Sequence, residues 1–104
     1  MFKVDDIANI KAYSHFDCYF FSEITWYLLE DKKIDKIFKE MSKSLSGKYF
    51  IHNLVFYKSN QKYGAEYFCS VDDFIKFCPF ELLGKNITDF EDSNVIETST
   101  IFKI

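Results

Sequence analysis

The stretch KYFIHNLVFYKSNQKYGAEYFCS, residues 48–70, decides the predicted fold. Two runs rich in aromatic and β-branched residues flank the polar centre at residues 58–62, and this pattern predicts a β-hairpin. Residues 54–57 have no polar face, which is typical of a central strand covered on both sides. An isolated hairpin is marginal in water, so we expect the rest of the chain to pack against it.

Helical periodicity precedes the hairpin. Apolar residues at helical spacing predict a helix over residues 16–30, started by a capping box at residues 14–17. A more regular stripe from Ile34 to Leu45 predicts a second helix, which Gly47 ends. Residues 4–13 fit a shorter helix capped by Asp5 or Asp6, with a strand at residues 1–4 as the alternative.

The segment after the hairpin combines a short helix with a strand. The capping box Ser70-Val-Asp-Asp73 starts a helix that Pro79 ends, and residues 80–84 are expected to add one turn. An acidic loop follows at residues 86–94, and partial alternation over residues 95–104 predicts a strand that pairs with the hairpin. The sequence thus predicts a single α+β domain over residues 1–104, with N-terminal helices packed on a small antiparallel sheet.

Composition narrows the classes of function. The chain is 48% apolar, yet no apolar run approaches the length of a membrane span and no signal-peptide pattern is visible. We therefore expect a soluble cytoplasmic protein without membrane contacts. Thirteen Lys and no Arg, with a net charge of −3, argue against direct nucleic-acid reading, because Arg makes the bidentate contacts to phosphate and guanine.

The cysteines and histidines are the residues from which an enzyme active site could be built. Cys18, Cys69 and Cys78 form an odd set without CxxC spacing, which favours reduced, mostly buried thiols over a metal site. A small Cys/His enzyme would use Cys18 with His15 or Cys69 with His52. We expect His52 to be a pH-sensitive surface group or a polar residue facing solvent. The three glycines are scattered, so no phosphate-binding loop, cofactor or catalytic residue is predicted.

Acidic charge is concentrated late in the chain. Residues 72–97 contain seven acids against Lys76 and Lys85, a balance of −5, with phenylalanines among them. An acidic patch with an aromatic anchor suits electrostatically steered binding to a basic protein. The candidate partner-binding residues are Asp72, Asp73, Glu81, Asp89, Phe90, Glu91 and Asp92. The alternative is a solvated acidic surface whose aromatic residues belong to the core.

In size, acidity, aromatic richness and lack of a cofactor motif, the chain is similar to the small immunity proteins of bacterial toxin systems, of the contact-dependent growth inhibition and bacteriocin types. The resemblance implies a non-enzymatic inhibitor that covers the active site of a cognate basic toxin, a nuclease, with carboxylates that mimic phosphates. A phage-encoded inhibitor of a bacterial defence nuclease would act in the same way. We expect a monomer or weak homodimer; a structural module would instead pair residues 95–104 across a two-fold axis.

Overall fold

The computed structural model describes residues 7–61 and 64–104, which form an α+β fold of one four-stranded mixed sheet and two α-helices. The strands are β1 (Cys18–Ser22), β2 (Tyr49–Tyr57), β3 (Glu81–Asp89) and β4 (Val95–Lys103). The helices are α1 (Lys33–Ser44) and α2 (Val71–Phe77), and 3-10 helices cover Ile7–Tyr13, Thr25–Leu28 and Glu30–Lys32. The strand alternative at residues 1–4, the caps Asp5 and Asp6, and residues 62 and 63 of the predicted hairpin lie outside the described residues.

The sheet has the strand order β1-β2-β4-β3. β1 runs parallel to β2, whereas β4 runs antiparallel to both β2 and β3, so the expected antiparallel sheet is a mixed one. The predicted closing strand at residues 95–104 is confirmed as β4. Because β4 is hydrogen-bonded on both sides it has no free edge, and it cannot form the pairing across a two-fold axis that the structural-module alternative requires.

The described part of residues 48–70 contains one strand rather than the predicted hairpin. β2 matches the first arm, and every second side chain along it is buried. β4 occupies one edge of β2 along its whole length and β1 occupies the other as far as Asn53, so a second arm could pair only with the last four residues of β2. The chain after Tyr57 is instead held to the β3–β4 turn, where the Lys58 N–H donates to the Asn94 carbonyl (2.7 Å) and the Ser59 N–H to the Asn94 side chain (3.0 Å). The described part of residues 58–70 contains no strand.

The helix predicted over residues 16–30 is wrong, and the helices do not precede the sheet. Tyr19 and Phe21 are buried while their neighbours in β1 are exposed, which is the period of a strand. Phe16, Phe20 and Tyr27, which complete the helical stripe in the sequence, are 50%, 58% and 80% exposed. The segment forms a strand because Tyr19 and Phe21 can then pack on the sheet beside β2, opposite Phe50 and His52.

Both predicted later helices are confirmed. In α1 the helical stripe is buried, comprising Ile34, Ile37, Phe38 and Met41, with Leu45 just beyond its end. Ser70 caps α2 by accepting a hydrogen bond from the Asp73 N–H (3.3 Å), as the capping box predicts. The helical turn predicted at residues 80–84 is wrong, and the predicted acidic loop is partly a strand, because β3 already starts at Glu81 and extends to Asp89.

The core lies between the helices and one face of the sheet. Phe50 of β2 contacts Phe38 of α1, with ring centroids 5.8 Å apart, and Phe102 of β4 at 5.9 Å. Phe74 of α2 stacks on His52 of β2 at 3.9 Å. The opposite face is more open, since Phe20, Tyr49 and Tyr57 are each more than 40% exposed.

A notch in the sheet follows from the unequal lengths of β1 and β2. β1 ends at Ser22, opposite Asn53, whereas β2 continues to Tyr57. The segment after β1 fills part of this notch, where the ring of Trp26 meets that of Phe56 edge-on at 5.5 Å. The site described below is built around this notch.

Candidate functional site

The structure divides the seven predicted partner-binding residues into three places. Asp89 ends β3, and Phe90, Glu91 and Asp92 lie in the turn that leads to β4. Asp72 and Asp73 lie in the first turn of α2. Glu81 begins β3, eight residues from Asp89, which places the two about 25 Å apart along the strand. Glu81 is therefore separated from the other acids of β3 and its turn.

Asp72 and Asp73 already have structural partners. The Asp73 Oδ2 atom accepts a hydrogen bond from the Cys69 N–H (2.9 Å), which fixes the chain just before α2. Asp72 makes an ion pair with Lys85 of β3, with 2.9 Å between Oδ1 and Nζ. The Asp73 contact supports the interpretation of this acid as a helix-start residue, whereas Asp72 pairs with a strand and stays exposed.

The β3–β4 turn is exposed and acidic. Asp89 makes an ion pair with Lys58 (2.5 Å), and the same Lys58 ammonium donates to the Phe90 carbonyl (2.9 Å). Phe90 is 43% exposed, and Glu91 and Asp92 are exposed beside it. Among the described residues neither Glu91 nor Asp92 makes an ion pair. The turn thus presents two uncompensated carboxylates next to an apolar ring.

Three further acids lie at the same end of the sheet. Glu97 of β4 is opposite Val55 of β2, and the Glu23 carboxyl lies near the backbone of the same Val55. Glu30 lines a pocket together with Glu23 and Tyr57, the last residue of β2. We call this part of the molecule the acidic end, and it comprises Glu23, Glu30, Asp89, Glu91, Asp92 and Glu97.

Glu23 has an unusual local conformation. It directly follows β1 and has a φ of +59°, and its N–H donates to the Asn53 carbonyl (3.0 Å). Its carboxyl lies near the Val55 N–H, at the edge of β2 that a longer β1 would have covered. Partial burial raises the pKa of the Glu23 carboxyl, and the charge of Glu97 raises this pKa further. The carboxylates of Glu23 and Glu97 therefore repel each other, and neither makes an ion pair with a described residue.

The notch beside β2 is a pocket of about 480 Å³, which we call the notch pocket. Its walls are the rings of Trp26, Tyr27 and Tyr57, and Glu23 and Glu30 supply carboxylates. Val55 and Gln61 complete the lining. Sequence reasoning missed these residues because it placed residues 23–30 on a helix and residue 57 in a hairpin. The signal that it could have used is the aromatic pair Trp26-Tyr27 between two glutamates.

His52 does not face solvent, so the prediction of a surface histidine is wrong. It is 2% exposed, and its Nε2 atom lies 2.6 Å from the Thr25 hydroxyl. Burial lowers the pKa of His52 to about 3, so the imidazole is neutral at pH 7. With one nitrogen held by Thr25 and one ring face against Phe74, His52 is a structural residue of the core.

The thiols do not form the expected buried set. Cys78 is buried, and burial raises the pKa of its thiol to about 12, whereas Cys18 and Cys69 are exposed. Cys18 begins β1, so the helical proximity to His15 on which a Cys18/His15 pair depends is absent. No group of three or more metal-ligating His, Cys, Asp or Glu side chains occurs in residues 7–61 and 64–104.

Comparison of the chain with protein-family models, with curated proteins and with solved structures gives no match. Within the described ranges, the helices are too short or too polar to cross a membrane. The chemistry of the acidic end is therefore the basis for a function.

Proposed function

We propose that this protein is a non-enzymatic inhibitor of the immunity-protein type, which binds a basic toxin, a nuclease, through its acidic end. The observation that carries the proposal is convergence: acids that follow β1, lie within β4 and surround the β3–β4 turn meet at one end of the sheet. The acidic segment of the sequence contributes only part of this surface. Glu23 and Glu30, some sixty residues earlier in the chain, contribute the rest.

The inhibitory mechanism would be electrostatic and steric. A nuclease active site is built to attract phosphate, so a surface of closely spaced carboxylates is attracted to the same groups. Phe90, which is 43% exposed between Asp89 and Glu91, would supply an apolar anchor that leaves water when the partner docks. The inhibitor would act in the cytoplasm, where an incoming nuclease meets nucleic acid, and it would do no chemistry itself.

Charge reversal tests which end of the sheet binds. The double variant Glu91→Lys/Asp92→Lys changes the charge of the acidic end by four units, at two exposed turn residues without ion pairs to described residues. The matched control Asp17→Lys/Glu81→Lys makes the same charge change at exposed residues near the opposite end, where Glu81 lies opposite Lys103. Both variants should retain the circular dichroism of the wild-type protein.

We expect the acidic-end variant to associate with the basic partner at least about tenfold more slowly at low salt, and the dependence of its rate on salt to be weaker. The control should keep most of the wild-type rate. Equal association rates for the two variants would contradict the proposal, because a general loss of negative charge, rather than the acidic end, would then explain any effect.

A further inference from the structure

The notch pocket combines aromatic walls with carboxylates. Trp26, Tyr27 and Tyr57 line it, and Glu23 and Glu30 add two acids in a volume of about 480 Å³. Aromatic faces attract cations through their negative quadrupole, and the attraction increases when the cation is partly desolvated. Carboxylates at the same site add a direct charge interaction with an ammonium or guanidinium group.

Part of this pocket has no evident role in folding. Tyr27 is 80% exposed, the largest exposure among the large hydrophobic residues of the described chain, so its ring contributes little to the core. Trp26 behaves differently, because its ring also packs against Phe56 and Phe68, at 5.5 and 6.0 Å between centroids. The pocket therefore has one wall fixed by the core and one that stands in solvent.

The acids of the pocket lack a cation among the described residues. The like charge of Glu97 acts on the Glu23 carboxyl, and neither Glu23 nor Glu30 makes an ion pair there. A positive group in the pocket would relieve the repulsion between Glu23 and Glu97. The same positive group could also contact the ring faces of Trp26, Tyr27 and Tyr57 in a cation–π interaction.

We propose that the notch pocket binds a cationic side chain, the ammonium of a lysine or the guanidinium of an arginine, from the basic partner protein. This inference rests on the proposed function and deepens it, because it identifies one contact by which the acidic end would recognise its partner. The surrounding acids bring the basic surface close, and the pocket then fixes the orientation of one side chain.

The chain has one tryptophan, so the emission of Trp26 reports on the notch pocket. The probes are Nα-acetyl-arginine amide, Nα-acetyl-lysine amide and choline, each titrated as the chloride at an ionic strength held constant with sodium chloride. We expect saturable emission changes with the arginine or lysine probe and a dissociation constant on the order of millimolar. The variants Tyr27→Ala and Glu30→Gln should each weaken this binding, by about tenfold in combination.

Glu81→Gln is the matched control, because Glu81 is an exposed acid at the far end of β3. It should bind the probes as the wild-type protein does. Absence of saturable binding, or equal binding by Glu30→Gln and the wild type, would overturn the inference. Binding of choline without binding of either amino-acid probe would also overturn it, since the pocket would then take a free quaternary ammonium ion.

The partner separates this inference from the proposed function. If the partner binds Tyr27→Ala and the wild-type protein with equal affinity, the pocket assignment fails and the inhibitor proposal stands. If the probes bind as expected but no basic protein associates with the chain, the inhibitor proposal fails. The notch pocket then remains a site for cations without the proposed source.

Discussion

Burial of His52 predicts that the free energy of unfolding falls as the pH is lowered. His52 lies in the core with its Nε2 atom 2.6 Å from the Thr25 hydroxyl and its ring against Phe74. Burial lowers its pKa from 6.5 to about 3. Below pH 6.5 the unfolded chain therefore binds a proton at His52 that the folded protein does not bind, so acid favours unfolding. This loss begins at pH 6.5 and continues until the pH reaches the folded-state pKa.

Its magnitude follows from proton linkage. Well below pH 6.5, one proton bound only by the unfolded chain removes about 1.4 kcal/mol of stability for each pH unit. By pH 4.5 this amounts to about 3 kcal/mol relative to pH 7.5. A loss of that size is substantial for a small domain, whose total free energy of unfolding is roughly 5–15 kcal/mol.

Urea unfolding of the wild type and His52→Gln, from pH 7.5 to 4.5, measures this effect. Glutamine does not titrate, and its amide can still meet the Thr25 hydroxyl, so the variant serves as the reference in which all other groups titrate as before. At pH 7.5 we expect the variant to be less stable by about 1–3 kcal/mol, because its side chain fits the site less well. Between pH 7.5 and pH 4.5 the wild type should lose about 3 kcal/mol more than the variant, so at pH 4.5 the variant should be as stable as the wild type or more stable. A difference that stays constant with pH would refute the reasoning.

Two further predictions concern the core and the thiols. Gly64→Ala should cost more than Gly47→Ala, since both residues have positive φ but only a Cβ at Gly64 would approach the Trp26 ring, to 2.5 Å. We expect a loss of about 1–2 kcal/mol at Gly47 and about 1–3 kcal/mol more at Gly64, and equal losses in urea unfolding would show that Trp26 is not packed there. Under native conditions at pH 7.5, a thiol-specific reagent should react with two cysteines and reach Cys78 only on unfolding, because Cys78 is buried and burial raises its pKa to about 12. Rapid reaction of one thiol near pH 6 would instead favour the Cys/His enzyme.

Local signals in the sequence predict the two α-helices and the strands β2 and β4, but not β1, β3 or the order of the strands. The stripe that ends at Leu45 and the Ser70 capping box each depend on residues within one or two helical turns, and the structure confirms both. In isolation the aromatic run around Tyr19 and Phe21 fits a helical stripe better than a strand, because Phe20 between them breaks the alternation. Pairing with β2 decides between them, and that pairing is not visible in the local pattern.

β3 and the notch pocket depend even more on distant residues. β3 contains Gly84 and is exposed along nearly its whole length, so it lacks the alternation of a half-buried strand and forms because β4 offers it an edge. The acidic turn was predicted from Glu91 and Asp92, which are close in sequence. The approach of Glu23 to the same end of the sheet follows only from the parallel pairing of β1 with β2.

The measurement that tests the central claim most directly is a comparison of three baits in the lysate of the native host, with products of neighbouring genes included. The baits are the wild-type chain, Glu91→Lys/Asp92→Lys and Asp17→Lys/Glu81→Lys. We predict that the wild type and the opposite-end variant retain one basic protein in a one-to-one ratio at low salt, and that the acidic-end variant loses it. The account is contradicted if the wild type retains no protein in that ratio, or if all three baits retain the same protein equally.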